Sequence, residues 1–157
     1  MDLTIAITTY KKHIKYFGKC VSNISINKNI KLLVIIDEKS KKYKNLISRI
    51  LLRKKFKSFQ VILNYQKGIS TARNKAIKLC NTKWITFLDG DDYICKKKVK
   101  FDFLNKNYDM IILNSQLSNS NKTEFYIKDT KIITKLQKVN FLKKYLIKPR
   151  ANSIVTH

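Results

Sequence analysis

Three carboxylates stand within four positions, Asp89, Asp91 and Asp92, with Gly90 between the first two. The chain holds only ten acidic residues, so placing three of them in one short segment concentrates negative charge sharply. Carboxylates that close repel one another unless a cation lies among them. Hard oxygen donors suit Mg²⁺ or Mn²⁺, and such ions in turn bind phosphate oxygens. Gly90 lets the segment bend tightly enough to aim its neighbours at one point. A solvated Asp-Gly turn closing a strand is the plain alternative. The local residues leave both readings open.

The elements that must position this cluster follow from apolar patterning. Leu3 to Thr8 is a short apolar run that opens into Thr9-Tyr10-Lys11-Lys12, which predicts a strand. Ile14, Phe17, Val21 and Ile24 recur at helical spacing, so Lys12 to Ser25 is expected to be an amphipathic helix. Ile30 to Ile36 is a second apolar run, ending at Asp37-Glu38. Leu46, Ile47, Ile50 and Leu51 mark a second helix, and Phe59 to Leu63 a third strand. Gly68-Ile69-Ser70-Thr71 opens a helix over Thr71 to Cys80, with Ser70 or Thr71 as the expected N-cap. Trp84 to Leu88 is the fourth strand, and it delivers Asp89. Beyond it, Asp109 to Leu113 reads as a strand, Ser115 to Thr123 as a polar loop or hairpin tip, and Val139 to Ile147 as a helix. Strands this uniformly apolar, alternating with helices, predict an α/β fold: a mostly parallel sheet with helices on both faces. Ligands of such sheets bind beyond the carboxyl ends of the strands, where Thr8-Thr9-Tyr10, Asp37-Glu38 and Asp89 to Asp92 fall.

Composition narrows the alternatives. A length of 157 residues suffices for one domain with its own core. Thirty-four Lys+Arg give a net charge of +24, yet only Arg49, Arg53, Arg73 and Arg150 are arginine. Base readout and bidentate phosphate clamping favour Arg, so nucleic acid is not the expected partner. Lys, Ile and Asn share A/T-rich codons, and much of the charge reads as a coding bias. No run approaches the ~18 apolar residues of a membrane span. Met1-Asp2-Leu3-Thr4 lacks the pattern of a signal peptide, and Cys20, Cys80 and Cys95 form neither a disulfide framework nor a zinc motif. A cytoplasmic location with reduced, buried thiols is expected. His13 is expected to be a surface or satisfied residue.

Val61-Ile62-Leu63-Asn64 through Gly68-Ile69-Ser70-Thr71-Ala72-Arg73-Asn74, followed by Trp84-Ile85-Thr86-Phe87-Leu88-Asp89-Gly90-Asp91-Asp92, resembles glycosyltransferase family 2. Leu3-Thr4-Ile5-Ala6-Ile7-Thr8-Thr9-Tyr10 and Leu32-Leu33-Val34-Ile35-Ile36-Asp37-Glu38 match in order and spacing, so the resemblance covers residues 3–114. It implies a GT-A fold and transfer of sugar from a nucleotide-sugar donor, with UDP the expected nucleotide. The acceptor would be a glycan or a lipid-linked glycan of a cell-surface polysaccharide or lipooligosaccharide. Within the family's pattern, Thr8 and Tyr10 resemble positions that cradle and stack the base. Glu38 stands where an Asp usually meets the base edge, one methylene longer. Arg73 resembles the Arg facing the diphosphate, although a simple carboxylate pair is its other reading. Asp91 matches the residue near the ribose and donor sugar. Asp92 matches the ligand of a Mn²⁺ or Mg²⁺ ion, with Asp89 as helper, and Asp37 is read as structural.

The pattern breaks downstream. The general base that deprotonates an acceptor hydroxyl lies well beyond the metal motif in this family. Here no acidic residue follows Asp129, and Glu124 and Asp129 stand in the wrong context. The expected organisation is a donor-binding core over 1–114 and an incomplete acceptor-side segment over 115–157. A truncated or partner-dependent nucleotide-sugar-binding module, without transfer of its own, is the alternative function. Lysine clusters at Lys41-Lys42-Tyr43-Lys44, Lys54-Lys55-Phe56-Lys57 and Lys96-Lys97-Lys98 suit peripheral contact with an anionic membrane at the inner face of the plasma membrane.

Overall fold

The computed structural model describes residues 3–26, 28–94, 110–112 and 154–156. The chain divides into two compact units, Met1–Asn105 and Lys106–His157. In the first, β1 (Leu3–Thr9), β2 (Ile30–Ile36), β3 (Phe59–Leu63) and β4 (Trp84–Asp89) form a parallel sheet in the order β3-β2-β1-β4. Between them run α1 (Phe17–Ser22), α2 (Lys41–Arg53) and α3 (Ile69–Leu79). In the second unit, β5 (Met110–Ile112) and β6 (Ile154–Thr156) pair antiparallel. The expected loop at 115–123, the helix at 139–147, Cys95, Lys96 to Lys98 and Arg150 lie outside the described residues.

β1 is buried along its whole length because both of its edges are paired and both of its faces are covered. Its even positions face α3: Ala6 packs with Leu33, Ile35, Ala72, Ala76 and Ile85. Small alanines at 72 and 76, one helical turn apart, let α3 lie close to the sheet. The odd positions Leu3, Ile5 and Ile7 belong to the opposite face, as the two-residue strand period requires. Fully buried Phe17, Cys20 and Val21 of α1 and Ile47 and Leu51 of α2 supply that layer's helical side. Each fully buried Leu, Ile or Phe contributes about 1.5–3 kcal/mol of apolar transfer, so the central strand and its two covers hold the unit together. Right-handed crossovers explain the layering: two steps from β1 to β3 put α1 and α2 on one face, and the step back to β4 puts α3 on the other.

Three local expectations change. The first helix does not run from Lys12 to Ser25. A 3₁₀ turn, Ile14–Tyr16, leads into α1, which ends at Ser22. The Ser22 hydroxyl donates to the Lys19 carbonyl (2.8 Å), a local bond that competes with helix continuation. The N-cap of α3 is neither Ser70 nor Thr71 but Gly68, at φ 121° and ψ 145°, a conformation that favours glycine. β1 and β4 each run one residue further than expected, to Thr9 and to Asp89. α2 closes with the Lys55 N–H on Leu52 O and the Phe56 N–H on Leu51 O, around Lys55 at φ 61°. That is the paired closure of a left-handed helix stop, with buried Phe56 as its apolar contact.

Candidate donor-binding site

The strand order reverses direction between β1 and β4, and at such a point the two flanking loops part and leave a crevice. Register places Thr8 beside Asp89 across the two strands. The Thr8 hydroxyl donates to Asp89 Oδ1 (2.9 Å), and the Gly90 N–H donates to the Thr8 carbonyl (2.8 Å). Gly90 is buried so tightly against β1 that a Cβ there would lie 2.5 Å from Thr9 Oγ1 and 2.6 Å from Thr9 Cβ. Glycine at 90 is therefore a packing requirement, set by the approach of the acidic turn to β1.

Arg73 reaches this junction from α3. Its Nη2 donates to Asp89 Oδ1 (3.1 Å) and Oδ2 (3.4 Å), and its guanidinium lies 5.6 Å from the Phe87 ring centroid. Of its two readings, the carboxylate pair is what the geometry forms, and Asp89 is committed to Arg73 and Thr8. Cys20 Sγ also donates to the Asp89 carbonyl (3.7 Å). On the far side of the turn, Asp91 Oδ1 lies 3.0 Å from His13 Nδ1. The Tyr10 ring stands 4.1 Å from the imidazole centroid at 48°. His13 is thus satisfied, as expected, but through a carboxylate of the cluster itself. Tyr10 is 39 % exposed and keeps part of its ring available.

The neighbouring strand end is organised by Asp37. Its N–H donates to the Thr9 carbonyl (2.7 Å), tying the β2 loop to β1. Its Oδ2 accepts the Gly68 N–H (2.9 Å), and its Oδ1 accepts from Asn64 Nδ2 (3.2 Å). Buried Asn64 also donates to Gln66 O and to Thr71 Oγ1. The structural reading of Asp37 fits this network, which fixes the path from β3 into α3. Glu38 follows at the same edge, half-buried and without an ion pair among the described residues. Sequence reasoning missed Asn64 and His13 as parts of the site. Asn64 carried a signal in its place, a polar residue directly after a strand, as Asp37 is; His13 carried none.

Charge shapes what the site can accept. Partial burial and the adjacent carboxylates Asp89 and Asp91 raise the Asp92 carboxyl above its ordinary value, with His13 pulling the other way. Burial, followed by the charges of Asp92, Asp91 and Asp89, pushes the Cys20 thiol up to about 12. Beyond burial, the carboxylate charges in both cases form a local field that a cation would relieve. Among the described residues no three His, Cys, Asp or Glu side chains form a ready metal cage. Asp91 and Asp92 are exposed oxygen donors, suited to an ion that takes its remaining ligands from water and phosphate, as Mg²⁺ and Mn²⁺ do.

The model of glycosyl transferase family 2 matches residues 4–156, well past the 3–114 segment in which the resemblance was visible. No curated protein matches the sequence. Among solved structures, residues 1–349 of S. aureus TarS share 17 % identity at a TM-score of 0.71, covering 100 % of this chain and 47 % of that one. The same TarS segment in complex with UDP gives 18 % identity, a TM-score of 0.72 and coverage of 99 % and 46 %. The mannosyltransferase PcManGT from Pyrobaculum calidifontis, in complex with GDP-Man and Mn²⁺, gives 12 %, 0.51, and coverage of 61 % and 29 %. The chain spans less than half the length of these solved chains. At such identities the likeness is one of fold, and the parallel α/β sheet is that of the GT-A proteins. Matched by the family model over nearly its whole length, the chain belongs to glycosyl transferase family 2.

Proposed function

We propose that the chain acts as a glycosyltransferase, binding a nucleotide-sugar donor, UDP-linked, together with Mn²⁺ or Mg²⁺, and passing the sugar to a glycan or lipid-linked acceptor of a cell-surface polysaccharide or lipooligosaccharide. The observation that carries this reading is the Asp89–Asp92 turn hydrogen-bonded to the end of β1, at the point where the sheet reverses. Family membership and the UDP and GDP-Man complexes of the fold's relatives support it.

Each residue then has a role. Tyr10 offers its exposed ring as the base's platform, buried Thr8 fixes the strand end that carries it, and Glu38 accepts from the base edge. Asp91 faces the ribose and donor sugar, and Asp92 with Asp91 offers oxygens to the ion. An ion held by these carboxylates would supply positive charge against the diphosphate. Asp89 contributes by holding Arg73 at the mouth of the site, where the guanidinium's remaining N–H donors can meet phosphate oxygens. The expected compartment is the cytoplasm.

A second reading, a nucleotide-sugar-binding module without transfer of its own, is favoured by the absence of Asp and Glu from residues 130–157, a segment that the family model still matches. Calorimetry with UDP, with and without Mn²⁺, tests donor binding. Binding that needs the ion and is lost in Asp91→Ala/Asp92→Ala is expected; equal binding by that variant would remove the metal role. Efficient transfer to an added glycan acceptor would rule out the second reading.

A further inference from the structure

The outward face of α2 carries a pattern that donor binding does not use. Ile47 and Leu51 are buried against the sheet, so the opposite side of the helix looks to solvent. There Lys42, Leu46, Arg49 and Arg53 follow one another at steps of four, three and four residues, which places them in a single stripe along the helix. All four are exposed, and Leu52, on the turn beside Arg49, is 62 % exposed. Leu46 is 40 % exposed. The segment from Lys41 to Arg53 contains no Asp or Glu. Among the described residues the ion pairs are His13–Asp91 and Arg73–Asp89, so none of these cations is neutralised by a carboxylate. Two of the chain's four arginines fall in this one stripe.

We propose that this face of α2 is a docking surface for an anionic lipid bilayer, with the helix lying in the plane of the headgroups. Lys42, Arg49 and Arg53 would meet lipid phosphates and carboxylates, while Leu46 within the stripe and Leu52 at its flank enter the acyl boundary. A helix of 13 residues, about 20 Å long, spans several headgroups, so the charges act together. The leucines decide between occupants. A nucleic acid could use Arg49 and Arg53, but the stripe offers no aromatic platform for a base, and two exposed aliphatic side chains would gain nothing against it. α2 begins just past the Asp37-Glu38 edge of the sheet, so a bilayer on this face would lie alongside the rim of the donor site. The surface stands independently of sugar transfer.

Co-sedimentation of the full chain with vesicles tests the proposal, using phosphatidylcholine alone or mixed with phosphatidylserine. Binding to the anionic vesicles only is expected. Lys42→Glu/Arg49→Glu/Arg53→Glu should weaken it about a hundred-fold or more. Leu46→Ser/Leu52→Ser should weaken it about ten-fold with no change in net charge. A control triple with the same charge change, Lys28→Glu/Lys78→Glu/Lys83→Glu, should bind nearly as the parent does. All substituted positions are exposed, and thermal melts confirm that each variant folds. Equal losses in the two triples would show that diffuse charge drives binding and overturn the proposal. So would unchanged binding by the leucine variant, or a preference for single-stranded RNA over anionic vesicles that the α2 triple abolishes.

Discussion

The guanidinium of Arg73, on α3, grips both carboxylate oxygens of Asp89 at the end of β4, and the Thr8 hydroxyl holds the nearer oxygen from β1. The pair is half-buried on both sides, with side-chain exposures of 32 % and 26 %. Arg73→Ala leaves that carboxylate with Thr8 alone and is expected to cost about 1–3 kcal/mol in urea denaturation. Arg73→Lys should recover only part of the loss: an ammonium can replace the single nitrogen Nη2, but it lacks the flat guanidinium face set over the Phe87 ring. Both variants should bind UDP more weakly. Unchanged denaturation midpoints would show that the pair contributes nothing to the fold.

Gly90→Ala tests the approach of the acidic turn to β1. The new methyl would overlap Thr9 Oγ1 and Cβ, so the turn must move away. Overpacking of this kind costs about 1–3 kcal/mol. Metal-dependent nucleotide affinity should fall with it, since the turn carries Asp91 and Asp92. Adding Thr9→Ala should not restore either property, because the clash with Cβ at 2.6 Å persists.

Asp92 sets function against stability. Its folded pKa is raised above the ordinary 3.8, chiefly by desolvation and then by Asp89 and Asp91. A raised acid contributes stability that is present below the unfolded value and is lost as pH climbs through the folded value. Without divalent ions, Asp92→Asn should therefore raise the melting temperature at neutral pH and lose that advantage near pH 3. The same variant should lose Mn²⁺-dependent UDP binding. A lower melting temperature at neutral pH would contradict the crowding of charge.

The thiols provide a fourth probe. Cys20 is buried, and its pKa of about 12 leaves almost no thiolate near neutrality. Burial pushes the Cys80 thiol up, but hydrogen bonding with Thr82 and Thr4 and the charge of Lys31 bring it below its ordinary 9.0. Iodoacetamide should alkylate Cys80 well before Cys20 in the folded chain, read peptide by peptide in a mass spectrometer. Equal rates would mean that the negative field and burial at Cys20 are absent.

What was legible in the sequence follows a physical divide. β2 and β3 stood at Ile30–Ile36 and Phe59–Leu63 in the bare sequence, because a parallel strand covered by helices is mostly apolar, with Lys31 and Gln60 the polar interruptions. The acidic turn was legible because carboxylates are scarce here. The start of α3 was not. A local rule selects Ser70 or Thr71 as its cap, whereas Asp37, 31 residues away, takes the Gly68 N–H. The Thr71 hydroxyl turns back to Gln66 O and Gly68 O. The His13–Asp91 pair was hidden for the same reason: its partners are 78 positions apart and meet only once β1 and β4 are paired. Arg73 lay between these cases, with its partner nearby in sequence but its choice between carboxylate and phosphate unreadable until the sheet was in place.

The bond from Thr8 to Asp89 joins positions 81 apart, and every chain segment between them lies in the loop that it closes. Closing so long a loop carries an entropic cost, which docking of β2, β3 and α3 lowers by shortening the free chain. The crevice between β1 and β4 is therefore expected to form late in folding. A nucleotide that binds only the finished crevice acts as a latch on the whole unit, raising its stability by mass action in proportion to the logarithm of ligand excess. Resistance to proteolysis in the presence of UDP and Mn²⁺ thereby becomes a measure of completed folding, readable without any acceptor and without turnover.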